Sequence, residues 1–281
     1  MYRVRSGLRL IAVAWLALQA TVGGAIADSY QARSQIDDAP VEQGVDGQPL
    51  VQWRAAWTGA EVLANSWSVY SGATMSIFGD IAKPVEDELG REGTIRTETG
   101  WRVRVTGGYG QYSYRRWING AAGRAYRKFT GHKTFSDVLF GYEAQWNRLT
   151  LKAFGGVTAE KHIVDPRDPD NPVTGFSYGG KAALEAWLAI SERHWLAADL
   201  AWDSAFETVR LGARTGYRVL DNVDVGIEAR FEGNQAFEAG RLGVLAMWKL
   251  GDVSLSGTVG VSGDRDMRTS PYGTVNLFFR Y

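Results

Sequence analysis

One stretch, Thr208 to Glu232, restricts the possible folds more than any other. Val209, Leu211, Ala213, Thr215, Tyr217 and Val219 alternate with Arg210, Gly212, Arg214, Gly216 and Arg218. After Leu220-Asp221-Asn222 the rhythm resumes: Val223, Val225, Ile227, Ala229 and Phe231 alternate with Asp224, Gly226, Glu228, Arg230 and Glu232. Only a pleated strand sends successive side chains to opposite faces, so this period of two means a pair of strands. With residues 220–222 as the connection, Val219 faces Val223. The register then sets Arg218 against Asp224, Arg214 against Glu228 and Arg210 against Glu232. One face becomes a ladder of opposite charges and the other is apolar. A soluble sandwich and a membrane barrel both contain such hairpins, so the rest of the chain must decide between them.

The same alternation recurs. Trp67, Val69, Ser71, Ala73, Met75 and Ile77 oppose Ser68, Tyr70, Gly72, Thr74 and Ser76; on the preceding strand Val51, Trp53, Ala55, Trp57 and Gly59 share a face. Trp101, Val103, Val105 and Tyr109 oppose Arg102, Arg104, Thr106, Tyr112 and Tyr114. Val138, Phe140, Tyr142, Ala144 and Trp146 oppose Asp137, Gly141, Glu143 and Gln145, and Asn147-Arg148 then reads as a two-residue turn. That turn places Glu143 opposite Lys152, a further charge pair on the polar face. Residues 181–202 carry both a helical and a strand pattern, and the alternation favours two strands joined near 191–194. Three connections read as loops: Gly79 to Gly100, with Pro84 and dense charge; Arg115 to Lys133, basic and aromatic; and 161–174, stiffened by Pro166, Pro169 and Pro172.

The N-terminus reads differently. Arg3, Arg5 and Arg9 precede the apolar run Leu10 to Ala20, and Ala25-Ile26-Ala27 offers small residues for cleavage, so residues 1–27 are expected to be a secretory signal. Residues 28–49 are polar and read as a mobile lead-in, leaving 50–281 as a single domain. Removing three of the 31 basic residues and none of the 31 acidic ones leaves a slight acid excess, with nothing that points to nucleic acid. The chain has no Cys, which excludes disulfides, thiolate metal sites and cysteine nucleophiles. Its 34 Gly, 11 Trp, 12 Tyr and 11 Phe suit strands that curve and carry aromatic girdles.

Connections that are short at 147–148, 190–194, 220–222 and 251–252, and mostly longer between, fit an up-and-down barrel with tight turns at one end. Trp53, Trp67, Trp101, Trp146, Trp202, Trp248 and Tyr281 fall at strand ends, where aromatic rings meet lipid headgroups. The expected fold is therefore all-β: a transmembrane up-and-down antiparallel β-barrel of about twelve strands. It is expected in the cell outer membrane with lipid as its first partner, and a secreted sandwich is the alternative.

On the polar face, Arg210, Arg214, Arg218, Asp224, Glu228, Glu232, Glu143 and Lys152 are candidate lumen charges. They form either an ionic constriction or a neutralised packing that seals a narrow barrel. Exposed pairs of this kind contribute about 0–1 kcal/mol each, so they specify register rather than bulk stability. Tyr70, Tyr112, Tyr114, Phe154 and Trp187 share the inner face and offer either sugar-stacking surfaces or packing. His132, His162 and His194, all in expected loops, stand in no nucleophile–base–carboxylate arrangement, so enzymatic chemistry, metal and cofactor are not expected.

Several segments resemble the cellulose biosynthesis protein BcsS family: Thr58-Gly59-Ala60-Glu61-Val62, Gly107-Gly108-Tyr109-Gly110-Gln111-Tyr112-Ser113-Tyr114, Leu151-Lys152-Ala153-Phe154-Gly155-Gly156, Asp168-Pro169-Asp170-Asn171-Pro172-Val173, Ala213-Arg214-Thr215-Gly216-Tyr217-Arg218-Val219, and Ser270-Pro271-Tyr272-Gly273-Thr274 on to Arg280-Tyr281. The resemblance implies a role in production, export or surface attachment of cellulose or another exopolysaccharide, with cellulose or cellulose-secretion components as partners. It carries no catalytic residues. The competing expectation is a narrow channel for oligosaccharides or small solutes; a third is a surface protein whose outer loops bind a partner.

Overall fold

The computed structural model describes residues 51–77, 82–86, 92–96, 99–120, 123–264 and 269–280. The expected signal and lead-in lie outside these residues. The first strands are β1 (Val51–Leu63), β2 (Ser66–Ile77), β3 (Ala82–Glu86), β4 (Glu92–Arg96) and β5 (Gly100–Gly120). They are followed by β6 (Gly123–Trp146), β7 (Leu149–Asp165), β8 (Gly175–Ala189), β9 (His194–Asp203) and β10 (Thr208–Leu220). The last four are β11 (Val223–Asn234), β12 (Phe237–Leu250), β13 (Val253–Asp264) and β14 (Thr269–Arg280). All but β3 and β4 form a closed barrel in which each strand pairs antiparallel with its chain neighbour, β2 pairs β5, and β1 pairs β14. Closure leaves no unpaired edge in the wall, the condition a sheet must meet to cross lipid.

The alternation sorts the two faces as the residue pattern requires. Leu211, Ile227, Val244 and Val259 are 51–68% exposed on the outside, while Asp224, Glu228 and Arg214 are buried within. Outward rings mark the margins of the apolar band: Trp101 stacks on Phe140 at 4.9 Å, and Trp67 meets Tyr109 at 5.6 Å. Trp146, Trp202 and Trp248 are also outward and exposed. Tight turns close one end at 147–148, 221–222 and 251–252, with 190–193 beside them. Asn147 at φ 47° and Gly251 at φ 62° supply the left-handed backbone that two-residue hairpin turns need.

Several expectations are corrected. Strand β1 turns its apolar face inward: Ala55 and Trp57 are buried against Phe278. The β1–β2 register shifts between Trp53 and Ala55, and Glu61, in phase with Trp57, belongs inside. The Gly79 to Gly100 connection holds β3 and β4, which pair with each other as a separate two-stranded sheet. The Arg115 to Lys133 segment is not a loop: β5 and β6 continue as a paired ribbon to Gly120 opposite Gly123. Likewise β7 runs to Asp165, so the loop begins at 166. In the opening hairpin Leu220, not Val219, pairs with Val223; an irregularity between Arg218 and Leu220 shortens the turn to Asp221–Asn222 without disturbing the charge ladder. His132, His162 and His194 all stand in strands.

Candidate functional site: the barrel lumen

A twelve-strand barrel lies between those whose interior short side chains can fill and those that leave an aqueous channel. Long side chains therefore decide what this lumen can do. The predicted ladder forms in register, with Arg210 opposite Glu232, Arg214 opposite Glu228 and Arg218 opposite Asp224. Its members, however, reach past one another. Arg210 lies 3.2 Å from Glu232, 3.3 Å from Asp203 and 3.8 Å from Glu160 on β7. Glu232 meets Arg241 at 3.4 Å, and Arg241 meets Glu61 on β1 at 2.7 Å. Glu61 also stands 3.7 Å from Arg230, which holds Glu228 at 2.9 Å; Glu228 lies 4.0 Å from Arg214. Anions and cations thus alternate without a break from β7 through β10, β11 and β12 to β1. These charges are shielded from solvent, so the exposed-pair regime expected from sequence does not apply. The energetics are those of buried pairs, where losing one partner strands a charge.

The opposite wall is bridged as well. Arg104 on β5 donates from both terminal nitrogens to Glu185 on β8, at 2.5 and 3.0 Å, passing over β6 and β7. Its guanidinium lies 3.9 Å from the centre of the Phe154 ring. Arg102 donates to Glu143 at 3.0 Å and to Ser76 at 3.0 Å, and the expected Glu143–Lys152 pair forms at 3.4 Å. Lys181 pairs with Asp137, which also accepts from Thr106 at 2.8 Å. Toward the turn-closed end, Trp187 and Trp195 pack against Leu245 and Met247 in one apolar cluster. The Trp195 indole donates to Asp224 at 3.1 Å, and Lys249 meets the same carboxylate at 3.1 Å.

The inward aromatic residues are engaged by the protein itself. The Tyr70 hydroxyl donates to Asn276 across β1, where Gly59 leaves the space a side chain would take from both. Phe154 lies beneath Arg104, and Trp187 belongs to the apolar cluster. Tyr112 shares a hydrogen bond of 3.0 Å with His162, and Tyr114 donates to Asp168 at 2.8 Å and accepts from Asn171 at 2.8 Å. These last contacts draw the 166–174 loop over the second end of the barrel. There Val173 packs with Ala205 and Phe206, and Phe206 meets the His162 ring edge-on at 5.0 Å.

Reading the sequence missed Arg104, Glu185, Glu61, Arg230 and Arg241 as lumen partners. Arg104, Glu185, Arg230 and Arg241 sit in phase with the polar face, which was the available signal; Glu61 shares the phase of Trp57 on the apolar face of β1, so alternation pointed it the wrong way. The partners that close the network, Glu185 for Arg104 and Glu61 for Arg230 and Arg241, lie beyond adjacent strands, where alternation carries no information. Among the described residues no cluster of three or more His, Asp or Glu suits a metal ion.

A closed antiparallel wall with an apolar, ring-bordered exterior and an ion-filled interior defines a transmembrane β-barrel of outer-membrane type. The chain belongs to the cellulose biosynthesis protein BcsS family, whose model matches residues 55–281. No curated protein matches it. Among solved structures the KdgM porin matches at 10% identity with a TM-score of 0.44, over 81% of this chain and 99% of the porin chain. The transport unit of the autotransporter AIDA-I from Escherichia coli matches at 13% identity with a TM-score of 0.44, over 92% of this chain and 98% of its own. The translocator domain of the autotransporter NalP from Neisseria meningitidis matches at 11% identity with a TM-score of 0.42, over 98% of each.

Proposed function

We propose that this protein is a non-enzymatic outer-membrane barrel that assists production and surface attachment of cellulose from the membrane wall, and is not the tube through which the polymer leaves. The observation that carries this reading is the Arg104–Glu185 bridge together with the Glu160-to-Glu61 chain of ion pairs, which reach across the lumen from several sides. A glucan chain threading the barrel would have to displace them and strand buried charges at several kcal/mol each, on the order of 3–5 for a broken pair. Family membership supports the link to cellulose.

Two measurements test it. Purified protein in a planar bilayer gives no conductance steps, and deletion of the gene lowers surface-attached cellulose. Steady conductance by the unaltered protein would support the narrow-channel reading instead, and unchanged cellulose yield and attachment would remove the cellulose role.

A further inference from the structure

Where β5 and β6 run past the end of β2, like charges face each other twice: Arg115 stands opposite Lys128, and Arg116 opposite Arg127. Like charges directly opposed weaken a strand pair unless an anion intervenes. For Arg116 the protein supplies its own anions, since the 166–174 loop brings Asp168 to 3.3 Å and Asp170 into contact. Arg115 and Lys128 point to the other face of the ribbon and are exposed. Arg124 joins them, lying 5.1 Å from the Trp117 ring, and the exposed Trp117 and Tyr126 rings pair at 5.0 Å. Among the described residues no carboxylate pairs with Arg115, Arg124 or Lys128. Asp165, on the neighbouring strand opposite Thr130, makes no ion pair with them.

This face continues the lipid-facing alternation upward from Tyr109 and Trp67. Arg115 lies six residues beyond Tyr109 on the same strand. At about 3.3 Å per residue and a tilt near 40°, that is on the order of 15 Å further out. The hydrocarbon and simple headgroup layers end short of that height, and sugar-bearing headgroups reach it.

We propose that Arg115, Arg124 and Lys128, with Trp117 and Tyr126, form a binding surface for the phosphorylated sugar headgroup of an outer-leaflet glycolipid. The cations meet phosphate, and the ring pair meets the sugar face. A neutral glucan would use the rings and leave the opposed cations uncompensated. The inference rests on the outer-membrane reading, with the ribbon end facing outside.

Full-length protein in detergent is titrated with bisphosphorylated lipid A and with its dephosphorylated form. Binding is expected only for the former, and the triple variant Arg115→Glu, Arg124→Glu, Lys128→Glu is expected to bind about a hundredfold or more weakly. Should that variant lose the heat-modifiable mobility of a folded barrel, Arg115→Gln with Lys128→Gln replaces it, with a smaller loss in the same direction. Equal binding of both lipids, undiminished binding by the variants, or tighter binding of cello-oligosaccharide than of lipid A overturns the proposal. In a chain without Cys, Ala125→Cys, exposed near the ribbon end and outside the proposed surface, should be labelled by a membrane-impermeant maleimide on intact cells. Absence of labelling overturns the outward orientation, and this proposal with it, but leaves the closed-lumen reading intact.

Discussion

Arg104 and Glu185 are joined through two hydrogen bonds, at 2.5 and 3.0 Å, although two strands of the wall separate β5 from β8. Both side chains are almost wholly removed from solvent. The pair sits inside the wall like a strut. Removing one member leaves the other as an uncompensated buried ion.

Arg104→Ala and Glu185→Ala should therefore each lower unfolding stability by about 3–5 kcal/mol. Arg104→Met combined with Glu185→Leu should restore most of the loss, because an apolar pair of similar volume carries no desolvation cost. Urea titration of the barrel in detergent, read by tryptophan fluorescence, measures all four proteins. Additive losses in the double variant would show that the two groups do not depend on each other.

Arg214→Glu should destabilise more than Arg214→Glu combined with Glu228→Arg, but the exchange should recover only part of the loss. Glu228 also holds Arg230 at 2.9 Å and lies within 3.4 Å of the Tyr272 hydroxyl, so a cation in its place meets Arg230. The same titration decides the point, and complete recovery would mean that Arg230 is free to move away.

Trp187 on β8 and Leu245 on β12 belong to one apolar cluster although three strands of the wall separate them. Trp187→Gly with Leu245→Gly should open that layer. Conductance steps absent from the parent protein should be infrequent in this variant, and more frequent when Arg104→Met and Glu185→Leu are added. Planar-bilayer recording provides the readout.

Tyr114→Phe removes a donor to Asp168 and an acceptor for Asn171, the two side-chain contacts that tie the 166–174 loop to β5 through this ring. Each such hydrogen bond contributes about 0.5–3 kcal/mol, so trypsin should cut after the exposed Arg167 about tenfold faster or more. Heat-modifiable mobility of the barrel should be unchanged. An unaltered cleavage rate would place the loop's anchorage in the Arg116 ion pairs with Asp168 and Asp170 and in the Val173–Phe206 packing.

Much of the architecture was legible in alternation alone. The Thr208 to Glu232 register, the Asn147-Arg148 turn and the Glu143–Lys152 pair follow from period two and turn chemistry, and each is local in the chain. What was not legible has one physical origin. Trp57 on the inside, the bridge from Arg104 to Glu185 and the pairing of Glu61 with Arg241 depend on curvature and on irregularities in register, which bring together residues whose separation in sequence says nothing of their separation in space. The Arg115 to Lys133 segment reads as a loop because its dense charge resembles a solvated stretch. A ribbon standing clear of the wall has water or headgroups on its outer side and so keeps no apolar stripe to betray it.

Glu61 belongs to β1, yet its cations, Arg230 and Arg241, come from β11 and β12, about 170 residues or more further along the chain. Until β14 docks on β1, both arginines lack this shared counter-ion and Glu61 lacks its charge partners. Zipping the seam and neutralising the interior are therefore a single step. The later strands act as a latch, and the charge network around Glu61 is complete only once β14 has reached β1.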